Sequence, residues 1–356
     1  MTMHASVVAQ TETVRFIPIS AAEYARVKPP RATLQRYYRE WRLFTEYATR
    51  LNADYGILMY FDFFQIPALI GPRAPCPFAA IYFRPTFHYH RFMQQSLKER
   101  FKAWRKQLVL RGVLRHLDTL LCLDPLAAEY IAEVFKPRAR VMHLADPVKD
   151  YPDTAEKTVA LRERLALDES RRVLLLFGTL DPRKGIYPLL EAVSLLPADL
   201  SGQMTLLLIG PTTESHKSRL AAEVSALQAT SEAHIIYHNA FIPDEDVAPY
   251  FQLADIVLTP YQHHMGMSNV IVRAAAAQRP VLSSDYGLMG ELVRRHKLGL
   301  AVDSTSPAIL AQALETCLTH PPATLFDSKG AAAFAQMNTV EHFAQTLATT
   351  FIETSP

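Results

Sequence analysis

The second half of the chain alternates short apolar runs with segments of helical period. Runs such as VLLLF at residues 173–177 and TLLLI at residues 205–209 are apolar at nearly every position. Because a strand covered on both faces needs apolar side chains throughout, these runs predict a parallel sheet with helices on both sides. We predict strands at residues 172–177, 203–209, 234–238, 254–259 and 280–284, and helices at residues 186–196, 215–229, 244–253, 287–295 and 306–319.

The first half follows the same alternation less regularly. We predict strands at residues 14–19, 55–64, 78–83, 119–123 and 140–144, and helices at residues 31–51, 91–117 and 127–135. The polar segment DPVKDYPDTAEKT, residues 146–158, contains two prolines and is the best candidate for a linker. The pattern therefore predicts an α/β protein with two Rossmann-like domains, residues 1–150 and 151–356.

The bulk composition narrows the functional classes. The chain has 356 residues, of which 49% are hydrophobic and 20% charged, and its formal net charge is +2. This charge is too small for extensive nucleic-acid binding, so no nucleic-acid partner is expected. No apolar run reaches the ~18 residues of a membrane-spanning helix, and the N-terminus lacks the pattern of a signal peptide. We therefore expect a cytoplasmic protein.

Five segments of the second half occur in the order and at the spacing of a known family. They are FGTLDPRKGIYPLLEA (177–192), LLLIG (206–210), ADIVLTPYQ (254–262), AAAAQRPVLSSDYG (274–287) and LGLAVD (298–303). Together they resemble the C-terminal, nucleotide-sugar-binding domain of GT-B glycosyltransferases, nearest to glycosyltransferase family 4 and its group 1 relatives. The resemblance implies a retaining transferase that moves a sugar from a nucleotide diphosphate sugar to an unidentified acceptor, in a cleft between two domains. It implies neither a metal nor a cofactor.

The resemblance also assigns a donor-binding set. Lys184 stands where the family has its diphosphate-binding lysine, and as a cation beside a helix start it is mildly disfavoured by the helix dipole, which favours function over a solvated role. Its charge would also stabilise the leaving diphosphate, which makes it a catalytic candidate. The family's arginine after the first glycine is Thr179 here, and Arg183 is expected to be exposed. The predicted donor-binding residues are Gly178, Thr179, Lys184, Gly210, Phe241, Gly266, Met267, Ser268, Asn269 and Arg273.

Two glutamates that the family usually carries, eight residues apart, are absent. In register, their positions are Met265 and Arg273. An arginine accepts no hydrogen bond, so the usual ribose recognition is excluded. Arg273 either pairs with phosphate, in compensation for Thr179, or forms a structural salt bridge. Ser268 either binds the donor or only caps the helix, and the histidine pair at 263–264 is expected to be solvated.

The first half resembles the acceptor domain of the same fold more loosely. PCPFAAIYFRPTFHYH at residues 75–90 resembles the strand and loop that carry a site histidine. This analogy makes His88 the first choice for a donor-facing residue, and a catalytic candidate, and His90 the second choice for a donor-facing residue, against the alternative of a solvated loop histidine. Asp62 ends another predicted strand among aromatic residues, where a carboxylate is costly without a partner or a function. It is therefore an acceptor-side candidate.

The family's opening strand and glycine-rich loop have no counterpart before residues 14–19, so we expect an N-terminally shortened form of a longer glycosyltransferase. Two other interpretations remain. A degenerate, non-catalytic GT-B protein that serves as a binding or partner subunit would explain the lost glutamates. A sugar-nucleotide epimerase would need acid–base carboxylates in the cleft, and the sequence offers none.

A basic stretch raises the question of a membrane partner. Between residues 73 and 115 there are ten Lys or Arg residues and one acid, Glu99. Within it, Leu97, Phe101, Trp104 and Leu108 recur at helical spacing. Residues 91–115 form either an amphipathic helix packed on its own sheet or a surface for anionic lipid. The second alternative would place the protein on the inner face of the membrane and suit a lipid-linked acceptor.

Overall fold

Two parallel sheets organise residues 13–27, 34–149 and 154–352, which are the residues that the computed structural model describes. The first sheet has four parallel strands in the order β1-β2-β3-β4. Its elements are α1 (Ala21–Val27), α2 (Leu34–Arg50), β1 (Gly56–Leu58), α3 (Gln65–Ile70), β2 (Phe78–Tyr82), α4 (Leu97–Val113), β3 (Thr119–Cys122), α5 (Pro125–Tyr130) and β4 (Arg140–His143).

The second sheet has six parallel strands in the order β10-β9-β8-β5-β6-β7. Its elements are α6 (Ala155–Arg164), β5 (Arg172–Phe177), α7 (Ile186–Ser194), α8 (Ala198–Ser201), β6 (Met204–Ile209), α9 (Glu214–Thr230), β7 (His234–His238), α10 (Val247–Leu253), β8 (Ile256–Thr259), α11 (Asn269–Ala276), β9 (Val281–Ser284), α12 (Gly287–Arg295), β10 (Gly299–Val302), α13 (Pro307–Thr319), α14 (Ser328–Gln336) and α15 (Val340–Ile352).

The apolar runs owe their continuity to burial on both faces of the second sheet. In β5, Val173 and Leu175 pack into one core cluster, whereas Leu174 and Leu176 pack into another on the opposite face. All four side chains are fully buried. The predicted α/β class with two parallel sheets is thereby confirmed. The strand order reverses between β5 and β8, and this switch point is where open α/β sheets bind ligands.

Some predicted elements of the first half are wrong. Residues 14–19 form no strand, and Val14, Phe16 and Ile19 are exposed, since this segment pairs with neither sheet. The strand predicted over residues 55–64 ends at Leu58. Tyr60 then adopts a left-handed conformation (φ 55°), and the chain continues into helical turns.

The C-terminal helices return the chain to the first domain. Phe343 and Leu347 of α15 pack against the first sheet beside Leu121 and Leu144, and Arg140 donates a hydrogen bond to the carbonyl of Thr350 at 3.0 Å. The sequence pattern did not reveal α14 or α15, and strand β10 lies where the sequence indicated only a turn. Of the predicted linker, residues 150–153 lie outside the described part of the chain, and α6 begins within it.

Candidate functional site

Lys184 lies at the switch point of the second sheet, in the loop between β5 and α7. Its Nζ donates to the carbonyl oxygen of Phe177 at 2.8 Å and to the hydroxyl of Tyr261, beyond β8, at 2.6 Å. It also lies 4.5 Å from the centre of the Tyr261 ring. An ammonium has three protons to donate, so two fix its position and one remains for a ligand. The predicted diphosphate-binding residue is therefore held where strand order reverses.

Close backbone approach lets the two loops meet. Gly185 has φ 74°, and a Cβ there would lie 1.9 Å from the carbonyl oxygen of Pro260. Gly210, at the end of β6, has φ 136°, and its Cβ would lie 2.3 Å from the carbonyl oxygen of Gly178. A Cβ at Gly178 (φ 99°) would lie 3.0 Å from Nζ of Lys184. Only glycine fits these backbone conformations without strain.

The loop from β8 to α11 presents the N-terminus of α11. Gly266 has φ 109° and lies just before Ser268, which is buried. Ser268 occupies the N-cap position, yet its side chain does not cap the helix. Its hydroxyl points instead toward the hydroxyl of Tyr261, at 3.5 Å. Ser268 thus belongs to the same cluster as Lys184, and the prediction that it serves a ligand remains.

His264 connects this loop to several cations. Its ring meets the Tyr261 ring edge-on at 5.4 Å, and its Nε2 lies 3.3 Å from the carbonyl oxygen of Met267. Burial lowers its pKa, and the charges of Arg183, Lys184 and Arg84 add to this effect. The prediction of a solvated loop residue is therefore wrong for His264. A partly buried position among three cations is a setting for an anionic ligand.

Residues of the first domain reach the same loop. The side chain of Arg84, after β2, passes within 3.5 Å of where a Cβ on Gly266 would lie. Tyr89 is buried beside the backbone of Gly266 and Gly287, and its hydroxyl makes no hydrogen bond within the described part of the chain. Nearby, the N–H of Gly287 contacts the Met93 sulfur at 3.2 Å. The two domains are therefore in contact at the loop that the sequence predicts to bind phosphate.

His88 lies next to Tyr89 but inside the first domain. It is 1% exposed, and its Nε2 lies 3.2 Å from a carboxylate oxygen of Asp124, which is equally buried. Aromatic rings of Phe87, Tyr89 and Phe92 enclose it. The interpretation of a solvated loop histidine is wrong. Its Nδ1 has no hydrogen-bond partner among the described residues, which keeps His88 available as a predicted catalytic residue.

Asp62 fixes the end of strand β2. Its two carboxylate oxygens accept the backbone N–H groups of Phe83, at 3.0 Å, and of Arg84, at 2.8 Å. These bonds supply the partners that a carboxylate among aromatic residues needs. Asp62 also lines a cavity in the first domain, described below, so its prediction as an acceptor-side residue stays open.

The two substituted glutamate positions have different surroundings. Arg273 forms a salt bridge with Asp244, with a nitrogen–oxygen distance of 2.6 Å, and its side chain is largely buried. That contact is the structural alternative considered above. Met265 is exposed at the loop. Neither of these two positions therefore provides a carboxylate for a ligand.

The remaining predicted donor-binding residues lie at the carboxyl ends of the strands. Thr179 is exposed after β5. Phe241 follows β7 and is 77% exposed, an unusual position for a large apolar ring. Beside it, the carbonyl oxygen of the Asn239 side chain accepts the backbone N–H of Thr212 at 2.8 Å, which joins the ends of β6 and β7. An aromatic ring at this edge is free to stack on a base.

Asn269 points away from the Lys184 cluster, toward the connection between the domains. Its amide nitrogen, oriented toward Asp146, lies 2.8 Å and 2.5 Å from the two carboxylate oxygens. The backbone N–H of Asp146 is bonded to the side-chain oxygen of Asn338 at 3.2 Å. Burial raises the pKa of Asp146 from 3.8 to about 6, while the two bonds from the Asn269 amide favour the charged carboxylate and act in the opposite direction. The first turn of α11 is thereby tied to the chain that links the two domains.

The Asp146 pKa predicts a pH-dependent stability. The folded protein binds a proton more tightly than the unfolded chain between pH 3.8 and about 6, so the free energy of unfolding should fall as the pH rises through this window. Asp146→Asn removes this contribution of the carboxyl group to the pH dependence of the free energy of unfolding. Between the two ends of that window, the wild type should lose about 1–3 kcal/mol relative to the variant. Urea denaturation of both proteins at the two ends checks this, and a constant difference would contradict it.

Sequence reasoning missed four residues of this site: Arg84, Tyr89, Tyr261 and His264. Tyr261 was within a recognised segment, but nothing in the sequence indicated that its hydroxyl would meet Lys184, 77 positions away. Arg84 and Tyr89 act across the domain boundary, where no sequence signal specifies contacts. The histidine pair was noted, and only the fold distinguishes the exposed His263 from the half-buried His264.

Comparisons with known proteins agree with this architecture. Residues 171–320 match the family model described as "Glycosyl transferases group 1". A D-inositol 3-phosphate glycosyltransferase of Jonesia denitrificans is 26% identical over 233 residues, 64% of this chain and 52% of that protein. A GDP-mannose-dependent alpha-(1-6)-phosphatidylinositol monomannoside mannosyltransferase of Mycobacterium tuberculosis is 26% identical over 283 residues, 76% of this chain and 69% of that protein.

The matched region covers 37% of a curated relative from Bacillus subtilis and 52% of the one from Jonesia denitrificans. The chain therefore spans about half the length of these two proteins or less. Among solved structures, sucrose-phosphate synthase of Thermosynechococcus elongatus superimposes with a TM-score of 0.63 at 18% identity, covering 92% of this chain and 80% of that one. Anabaena HepE in complex with UDP gives 0.61 at 18% identity, covering 90% and 82%. These likenesses confirm the predicted fold.

Proposed function

We propose that the chain transfers a sugar from a nucleotide diphosphate sugar to an acceptor, on the premise of its GT-B fold and of the match of residues 171–320 to the group 1 glycosyltransferase model. The observation that carries the proposal is the position of Lys184. Its ammonium is fixed by Phe177 and Tyr261 at the switch point of the sheet, next to the N-terminus of α11. Both features attract a diphosphate.

The residues support a reaction driven by stabilisation of the leaving group. An acceptor hydroxyl oxygen forms a bond to the anomeric carbon, the bond from that carbon to the diphosphate oxygen breaks, and the hydroxyl proton passes to the released diphosphate. Lys184 and the N–H groups at Gly266 and Met267 would offset the negative charge that develops on the diphosphate. We propose retention of configuration and no metal requirement, in line with the family resemblance.

Phe241 supports binding of the nucleotide base. Its exposed ring lies at the carboxyl end of β7, beside the end of β6, and a base stacked on it would cover apolar surface that is otherwise in water. The diphosphate would then extend from this edge past Gly210 and Gly178 toward Lys184. His88 remains a proposed catalytic residue of the first domain. Its side chain is 1% exposed and lies against Asp124, so a role at the sugar requires the surrounding aromatic rings to move.

Calorimetric titration with UDP, GDP and their sugars tests the proposal. We expect one nucleoside diphosphate to bind in the micromolar range and its sugar to be slowly hydrolysed when no acceptor is present. The absence of binding by any of these compounds would contradict the assignment of the second domain as a donor site.

A second candidate function rests on Met265 and Arg273. Both usual carboxylates are absent, and Arg273 is engaged with Asp244. A non-catalytic GT-B protein that binds a nucleotide or a partner subunit fits this substitution. Binding of the nucleotide sugar without any turnover, in the presence of a broad acceptor panel, would favour this candidate over the transferase.

The helix α4 supports a peripheral membrane contact. Leu97, Phe101, Trp104 and Leu108 are all exposed, so the alternative in which this stripe packs on its own sheet is wrong. Phe101 and Trp104 stack on each other at 5.7 Å. Lys98 and Arg105 lie on the same helix beside the stripe. We propose that this face contacts anionic lipid on the inner side of the membrane. Within the described residues, no helix combines the length and the apolar character that crossing a bilayer requires.

Replacing Phe101 and Trp104 together with serine tests the lipid contact. The wild type should float with vesicles of anionic lipid at low salt and less so at high salt, because both apolar insertion and surface charge contribute. The double variant should lose most of this binding. Leu195→Ser, which alters an equally exposed side chain (55%) of the second domain, is the control and should bind as the wild type does. Equal flotation of all three proteins would exclude the contact.

A further inference from the structure

A cavity of about 330 Å³ lies in the first domain between α4 and the carboxyl end of β2. Four basic side chains, Arg84, Lys102, Arg105 and Lys106, line it together with a single acid, Asp62. Such an excess of positive charge in a concave site is not needed for folding and disfavours the empty state, since like charges repel. It points to an anionic ligand.

One carboxylate cannot balance four cations, although the charge of Asp62 does act on Lys106 and raise its pKa against the larger effect of desolvation. Both carboxylate oxygens of Asp62 are already bonded to the backbone N–H groups of Phe83 and Arg84. Within the described residues, none of the four basic side chains forms a salt bridge, and the Nζ of Lys106 donates instead to the hydroxyl of Thr86 at 2.8 Å. Desolvation lowers the pKa of Lys106, so a bound anion would relieve a cost already present in the folded protein.

The rest of the cavity wall is apolar. Phe63, Ile66 and Val109 line it as well, Val109 one helical turn from Lys106, and Phe63 and Ile66 are large side chains left exposed to solvent. A ligand that has both a phosphate and a ring or alkyl portion would satisfy the two walls at once. Planar guanidinium groups such as those of Arg84 and Arg105 match the oxygens of a phosphate. A phosphate monoester carries nearly two negative charges at pH 7, so four cations favour it over a singly charged carboxylate.

Arg84 places this cavity beside the donor loop. It lines the cavity and also passes within van der Waals distance of Gly266, before α11. A molecule bound in the cavity therefore lies next to the loop proposed to hold the diphosphate. We propose that the cavity binds the phosphate group of a phosphorylated acceptor, either a soluble sugar or polyol phosphate or the phosphate of a lipid headgroup. That the bound molecule is the acceptor rests on the transfer reaction proposed above, whereas the existence of a phosphate site does not depend on that reaction.

The test compares two double variants of α4. Lys102→Gln with Arg105→Gln removes two charges from the cavity, and Arg100→Gln with Arg111→Gln removes two from the same helix outside it. The soluble probe is glucose 6-phosphate, with glucose and inorganic phosphate alongside. The lipid probe is a phosphatidic acid vesicle, set against a phosphatidylserine vesicle of equal surface charge.

We expect the wild type and the Arg100/Arg111 variant to bind one phosphate probe with equal affinity, and the Lys102/Arg105 variant to bind it at least about tenfold more weakly. If the Lys102/Arg105 variant loses the binding of glucose 6-phosphate or inorganic phosphate, the phosphate group recognised by the cavity belongs to a soluble molecule. If that variant loses a preference of the wild type for phosphatidic acid over phosphatidylserine vesicles, the phosphate group recognised by the cavity belongs to a lipid headgroup. If the two double variants respond alike to every probe, or if no probe binds the wild type, the inference is overturned.

The affinity for UDP separates this inference from the proposed function. UDP should bind the wild type and both double variants equally, because none of the four replaced residues lies in the second domain. This equality also shows that the variants are folded. Should Lys102/Arg105 prove unstable, Lys106→Gln provides the same comparison with one substitution. A wild type that binds glucose 6-phosphate but not UDP would retain the phosphate site while the transfer proposal fails.

Discussion

Lys184→Ala is expected to weaken the binding of nucleoside diphosphates by about 10- to 150-fold, which corresponds to one charge-assisted hydrogen bond of ~1.5–3 kcal/mol. The ammonium is positioned by Phe177 and Tyr261, so its contribution to a ligand carries little ordering cost. The loss should be larger for turnover than for binding, since negative charge on the diphosphate grows as the sugar leaves. Calorimetry with the diphosphate and a hydrolysis assay with its sugar measure the two effects.

Arg183 provides the matched control for this experiment. It is the adjacent cation, its side chain is 60% exposed, and it lies 3.4 Å from Asp181 in a surface ion pair. Arg183→Ala removes the same charge at nearly the same place in the sequence and should change the affinity by less than about threefold, because exposed charges are screened. Equal losses in the two variants would mean that net charge, and not the placement of Lys184, attracts the nucleotide.

Gly185→Ala should be among the most damaging single substitutions in the second domain. The residue has φ 74°, and its added methyl group would lie 1.9 Å from the carbonyl oxygen of Pro260. The backbone must move at one loop or the other, which we expect to cost about 3 kcal/mol or more. Because Pro260 precedes Tyr261, this movement should also displace the partner of Lys184. We therefore expect loss of stability in urea denaturation together with loss of UDP binding.

Gly202→Ala tests whether this effect is specific. Gly202 ends α8 with φ −63°, and its added methyl group would meet no atom closer than 3.1 Å. We expect a change of less than about 1 kcal/mol in the free energy of unfolding and no change in UDP affinity. If Gly185→Ala were equally mild, the close contact between the two donor loops would not matter for the site.

The second half shows how much of a fold a sequence can specify. Strands β5 and β7 begin and end at the predicted residues, and the other strands predicted there differ by two residues at most. Strands β5, β6, β8 and β9 are buried at nearly every position, so nearly every position carries the signal, whereas β7 is an edge strand of intermediate burial. In the first half, the exposed run at residues 14–19 has the apolar pattern of a strand without a neighbour to pair with. Local pattern does not record whether a partner exists.

The sequence determined which chemical groups this protein has for a donor site: a lysine after β5, glycines where strands end, and a loop before α11 without the usual carboxylates. It determined them because each lies within a few residues of a strand end, and strand ends follow from the apolar pattern. Only the tertiary structure decided the partners of these groups. Tyr261 holds Lys184, Asp244 holds Arg273, and Asp146 faces Asn269, because parallel strands bring together loops that are far apart in sequence.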